Sequence, residues 1–230
     1  MKQLLFLVST SLFISCTSKN TETTATEENA INSLEETYDT QVAFTKASIE
    51  DNGETLAIFN AKMESNTLLD TLNMVFAGSH MGILVYEQLS QEEKATYGGF
   101  QVQFEKNGES YEQAFKYNKN LAVKAIEKAK LFDEFADNLL EGNYEEAAGL
   151  VKIENRNEND VKALNDYMEI HMVEHGKPTG YKRTGWGLNT TNTVFHFNGF
   201  LTFDNGYVLP FLVAMTDNTV DTTLIGYKFE

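Results

Sequence analysis

The chain has 230 residues, of which 42% are hydrophobic and 12% aromatic, with only two prolines and a formal net charge of −16. That composition folds one large domain or two small ones around a real core, and it excludes collagen-like and low-complexity classes. The acidity argues against nucleic acid as a partner, because phosphate backbones are held by clusters of Lys and Arg, and it disfavours adsorption to anionic lipid.

At the N-terminus, Lys2 supplies a positive charge, Leu4 to Ile14 form an apolar run broken only by Ser and Thr, and Ser15 stands before Cys16. Residues 1–15 read as a secretory signal. The 12 residues from Leu4 to Ser15 fall short of the ~20 that a spanning helix needs. Cys16 is the only cysteine, so no intramolecular disulfide forms. Phe13-Ile14-Ser15-Cys16 resembles the lipobox of bacterial lipoproteins, with Phe13 where Leu is usual. The resemblance implies cleavage before Cys16 and diacylation of its thiol. Cys16 is then the lipid-attachment residue, and the protein is a membrane-anchored component of the bacterial cell envelope, periplasmic or surface-exposed.

Residues 16–33 are Thr, Glu, Asn and Ser with almost nothing apolar, a composition expected to stay disordered. We read them as a tether reaching roughly 60 Å when extended. Residues 34–118 then read as a small α+β unit. Val42 to Ile49 and Thr55 to Met63 are strands around Asn52-Gly53, a hairpin signal. A helix follows, capped by Asn66 or Thr67, with Leu69, Leu72, Phe76, His80 and Ile83 at helical spacing. Phe100 to Glu105 and Tyr111 to Tyr117 flank a second Asn-Gly pair, giving the order strand, strand, helix, strand, strand. Gly78 and Gly82 on that helix suggest close approach of a strand, and His80, on the apolar stripe, reads as a hydrogen-bonded core residue.

Residues 119–230 form the second unit. Leu121 to Leu140, Tyr144 to Val151 and Asn159 to His175 read as helices. Tyr181 to Leu188, Thr193 to Phe203, Tyr207 to Thr216 and Thr222 to Phe229 read as a four-stranded antiparallel meander. The entry through Phe135 to Val151, with Leu140-Glu141-Gly142-Asn143-Tyr144-Glu145-Glu146-Ala147 at its centre, is similar to NTF2-like or cystatin-like small domains of bacterial lipoproteins. The resemblance implies an α+β fold whose curved sheet and helices enclose a conical cavity, used for ligands, for catalysis, or filled with side chains. Tyr167, His171, Trp186, His196 and Tyr207 are the polar aromatic residues expected to face it.

His171-Met172-Val173-Glu174-His175 spells H-x-x-E-H, the inverzincin pattern of zinc proteases. Two histidines four apart on a helix reach one metal ion, and the glutamate would activate its water. Against this, only strands follow to supply a third ligand, and His175 falls on the apolar stripe of a helix that ends at Gly176. We read the match as chance and expect neither a metal nor a cofactor. No phosphate loop, dinucleotide fingerprint or nucleophile elbow is present. The expectation is a non-catalytic binding role toward a protein partner or a small ligand. The alternatives are a cavity enzyme of isomerase or lyase type, and an acidic inhibitor or immunity protein that captures a basic partner.

Overall fold

The computed structural model describes residues 23–51, 54–71, 74–106, 109–111, 117–152, 159–189, 191, 193–218 and 223–230. The signal segment, Cys16, the start of the expected tether, both Asn-Gly pairs and the polar stretch 154–158 lie outside them.

From Ala25 onward the tether reading is overturned. Ala25–Tyr38 is a 14-residue helix, α1. Thr24 and Glu27 close a capping box at its start, the Thr24 hydroxyl accepting the Glu27 N–H and the Glu27 carboxylate accepting the Thr24 N–H. Ala30, Leu34 and Tyr38 recur every four residues and are all buried. With Ile31 packed beside it, that narrow stripe is enough in a largely polar stretch, because packing against the rest of the unit supplies what composition lacks.

Two strands follow, β1 (Val42–Asp51) and β2 (Glu54–Met63), antiparallel from Val42↔Met63 to Asp51↔Glu54. Next come α2 (Thr67–Thr71), α3 (Met74–Gln88) and α4 (Gln91–Thr96). Asn66 caps the first by accepting the Leu69 N–H at 2.8 Å, and Ser90 with Glu93 forms a second capping box before α4. The helical crossover returns the chain parallel to β2 as β3 (Tyr97–Lys106), on which β4 (Glu109–Tyr111) and β5 (Tyr117–Asn118) pair antiparallel. The expected order strand, strand, helix, strand is present, with α1 added in front; of the expected last strand, Tyr111 to Tyr117, residues 112–116 lie outside the described residues, and β4 and β5 flank them.

The second unit matches its expected order closely. Helices α5 (Lys119–Glu141), α6 (Tyr144–Gly149) and α7 (Asp160–His175) precede β6 (Pro178–Leu188), β7 (Val194–Phe203), β8 (Val208–Thr216) and β9 (Leu224–Phe229). The four strands form an antiparallel sheet in sequence order. Along β7 every second residue is buried, which turns Phe195, Phe197, Leu201 and Phe203 toward the helices. From α5, Phe132 stacks on Phe211 of β8 at 5.0 Å and Phe135 packs on Tyr227 of β9 at 4.9 Å.

Helix α3 joins the two units. Residues 77–83 are buried without a break, which an amphipathic surface helix would not show. Ala77, Met81 and Val85 belong to the first core, whereas Ile83 belongs to the second. Ser79 lies against the free edge of β6: its hydroxyl donates to the Trp186 carbonyl and accepts the Trp186 N–H at 3.0 Å, and its own carbonyl accepts the indole N–H at 2.8 Å. The edge groups of Trp186 on β6 are thereby paired within the chain. No helix among the described residues is long and apolar enough to cross a membrane.

Candidate functional site

The aromatic side chains proposed from the sequence fall into two groups. Tyr167 and His171 project from α7, and Tyr207 precedes β8. The end of α7 is pinned beside them: the Lys177 N–H donates to Asp204 at 2.8 Å and the Asp204 N–H to the Lys177 carbonyl at 3.0 Å. The result is a run of rings. Phe229 and Tyr167 lie 4.8 Å apart between centroids, Tyr167 and His171 4.7 Å, His171 and Tyr207 5.7 Å, and Tyr207 and His175 3.7 Å.

Trp186 and His196 do not join this group. Trp186 is 3% exposed, packs on Phe195 and Phe197, and is bonded to Ser79. His196 pairs in register with Gly187 and Ala214 and, by the alternation of β7, points away from the helices. The expectation that it faces an interior cavity is therefore corrected: Phe195 and Phe197 take the inward positions, so the residue between them must turn outward. Both residues sit about 20 Å along the sheet from Tyr207, at ~3.3 Å per strand residue.

Side chains fill most of the expected conical cavity, leaving a depression of about 310 Å³ lined by Leu121, Lys124, Leu188, Phe195 and Asp217. Phe132, Phe135, Phe195, Phe197, Phe203 and Phe211 are each no more than 2% exposed and occupy the space between helices and sheet. The ring run is equally closed to a planar ligand, since the faces of His175 and Tyr207 already cover one another. One loose end remains in it: His171 Nδ1 is buried and has no hydrogen-bond partner among the described residues. His175 receives a contact from Asn205 at 3.1 Å and lies 3.6 Å from the exposed Glu174 carboxylate. Among the described residues no three His, Cys, Asp or Glu side chains gather where they could hold a metal ion.

A second polar cluster, not foreseen as such, lies where the two units meet. His80 is buried and its Nδ1 is 2.8 Å from the Tyr38 hydroxyl. Burial first, then the charges of Arg183 and Lys182, hold its pKa down at about 3, so the ring is neutral. Arg183, on β6, reaches Asp133 of α5 at 3.4 Å and Glu87 of α3 at 3.9 Å. Burial pushes both carboxyls up and Arg183 opposes it. Lys182 donates to the Thr37 carbonyl at the end of α1 at 2.9 Å. These groups meet across four elements and serve to hold the units together, although Arg183 Nη1 is buried with no hydrogen-bond partner among the described residues. His80 alone was legible beforehand, because a histidine within an apolar helical stripe needs a partner. Arg183 sits in a strand whose sequence gives no sign of which helices it meets.

On the outer side of α7, Ile170 and Val173 are 60% and 87% exposed. They line a shallow depression of about 400 Å³ together with Asp166, Glu169 and Glu174. In comparisons with known protein families and with curated proteins, the chain matches none.

Proposed function

We propose that the chain is a lipid-anchored protein of the bacterial cell envelope, periplasmic or surface-exposed, with a non-catalytic binding role. Its C-terminal part is an NTF2-like or cystatin-like domain, and what it binds is a protein. The observation that carries this reading is the largely filled interior: with six phenylalanines closing most of the space between helices and sheet, binding falls to the surface. The anchor is supported by Lys2, the Leu4 to Ile14 run and the sole cysteine at Cys16. Since α1 is capped at Thr24, only eight residues separate it from Cys16, a reach of at most about 28 Å. The folded body is thus held close to the bilayer.

An acidic inhibitor or immunity role is the second reading, favoured by the α7 depression. Exposed Ile170 and Val173 ringed by carboxylates suit an apolar contact with a basic rim on the partner. The isomerase or lyase alternative has no such support, because it needs an open cavity and a paired acid and base.

Two measurements test the proposal. Fatty-acid labelling should be lost, and the protein released from membranes, in Cys16→Ser; a variant still lipidated would remove the anchor. A photoreactive side chain placed at Val173 in membrane-located protein should give one discrete protein adduct, less of it at high salt. No adduct, together with saturable uptake of a small molecule in native mass spectrometry, would overturn protein binding.

A further inference from the structure

Strand β1 ends the first sheet and is ten residues long. It pairs with β2 from Val42↔Met63 to Asp51↔Glu54 without a register shift, so no bulge interrupts it, and it holds no proline. Its other side is open. The Val42 N–H turns away from β2 and donates to the Glu35 carboxylate at 2.9 Å. Backbone groups alternate in direction along such a strand. Phe44, Lys46, Ser48 and Glu50 therefore turn theirs to the same side, where no backbone hydrogen bond meets them among the described residues. The other sheet edges differ: β6 is paired at Trp186 by Ser79, β9 is met at Leu224 by Leu150 and Lys152, and β4 has three residues.

Natural sheets blunt a long free edge with lysines, prolines, bulges or a covering loop. The one lysine of β1, Lys46, is turned to α1 and neutralised by Glu27 at 2.9 Å, and Ala43, Thr45 and Ala47, which are exposed, are small. Phe44 packs on Phe59 at 4.3 Å between ring centroids, which fixes the strand before anything pairs with it. We propose that β1 is a docking edge for an extended segment of a partner protein, about eight residues long, basic at both ends and uncharged between them. Strand addition supplies main-chain bonds along the edge. The charges set the ends. Glu35 stands at Val42, and exposed Glu50 lies about 26 Å further along, at ~3.3 Å per residue. Lys or Arg near each end of the segment complements them. A second copy would bring the same carboxylates, on a body of net charge −16, and complements neither end. The small exposed side chains of β1 leave room for β-branched or aromatic residues at alternate positions of the segment. The inference rests on the reading that the chain binds a protein, and it places that contact on a surface separate from α7.

The test is hydrogen exchange of the full chain in neutral detergent, followed residue by residue by NMR. In the free chain the amides of Phe44, Lys46, Ser48 and Glu50 should exchange at least tenfold faster than those of Thr45 and Ala47, which face β2. The probe is a synthetic peptide of alternating Thr and Val with Arg at each end. It should protect the four edge amides at least tenfold and bind at least tenfold more tightly than the same peptide ended in Glu. N-methylation of all its amides, which keeps its side chains and charge, should abolish binding. Ser48→Pro removes one outward N–H where an edge tolerates proline, and should weaken binding at least tenfold with the urea midpoint unchanged. If that variant fails to fold, the N-methylated peptide decides alone. Binding indifferent to N-methylation, or no protection by the arginine-ended peptide, would overturn the proposal. Edge amides already protected in a free chain with the mass of two would assign β1 to a second copy and overturn it equally. A protein adduct at Val173 without protection of β1 would remove this edge and leave protein binding standing; neither adduct nor protection would remove both.

Discussion

A methyl group added at Gly82 would lie 1.7 Å from Cζ of Phe100, so the position is reserved for hydrogen by the strand behind it. Gly82→Ala should therefore force Phe100 off its rotamer or push α3 from β3, at a cost in the usual overpacking range of ~1 to 3 kcal/mol. Urea unfolding measures it, and Phe100→Leu in the same chain should recover part of the loss; equal stability of Gly82→Ala and the parent would refute the contact. The two histidines of α7 make a second contrast. His175 is 21% exposed, stacked on Tyr207 and in contact with Asn205, so His175→Ala should lose about 1 kcal/mol. Glu174, 65% exposed, should tolerate Gln within ~0.5 kcal/mol. A zinc hydrolase predicts the reverse emphasis, with Glu174→Gln abolishing turnover and stoichiometric metal lost from the chain lacking both histidines. Elemental analysis of the purified protein decides.

At the scale of the element, α1 depends on one buried carboxylate. Glu27 is 1% exposed and takes Lys46 Nζ at 2.9 Å, the Tyr97 hydroxyl at 2.6 Å and the Thr24 N–H at 3.0 Å. Burial and the bond to Glu27 push the Tyr97 hydroxyl upward, so it stays a donor at any working pH. Removing Lys46 leaves the charge buried without its counter-ion, a loss of about 3 kcal/mol, whereas Tyr97→Phe should cost about 1 to 2 kcal/mol. Proteolysis between Thr24 and Asp39 should accelerate in Lys46→Met; unchanged resistance there would detach α1 from this account. The helix also marks how far the sequence could be read. Thr24-x-x-Glu27 spells a capping box, but five apolar residues in fourteen, two of them alanines, look like a tether until the surface that receives them is known. The meander, by contrast, was legible because its two central strands, β7 and β8, alternate and the turn between them is spelled Asp204-Asn205-Gly206. The same alternation wrongly assigned His196, since periodicity separates two faces without saying which one the helices cover. The parallel pairing of β2 with β3 left no local signal at all, because a crossover is decided by packing of the helices between.

For the whole molecule, α3 makes the two units one cooperative body, and His80 sets how that body responds to acid. Its ring is buried against the Tyr38 hydroxyl, with Lys182 and Arg183 as the nearest cations and Glu87 and Asp133 beyond Arg183. In the unfolded chain it titrates near its ordinary value of 6.5, in the folded chain only at about 3. Between those values the unfolded state holds the extra proton, so stability is intact above about pH 6.5 and falls as pH drops through the window. The slope approaches 1.4 kcal/mol per pH unit. Glu87 and Asp133 act in the opposite direction, since their raised values make the folded state bind protons first, and they flatten the lower part of the curve. Urea midpoints from pH 8 to 4 should thus decline below 6.5 in the parent chain. In His80→Gln, which keeps a polar group for Tyr38 but cannot ionise, the decline between pH 6.5 and 5 should be lost, at some cost in stability at pH 8. Both units should unfold in one transition at every pH, by tryptophan fluorescence of Trp186 and by far-ultraviolet circular dichroism alike. A first transition confined to Trp186, with the rest of the helix content intact, would show that α3 is not shared and that the proton on His80 reports on one unit alone.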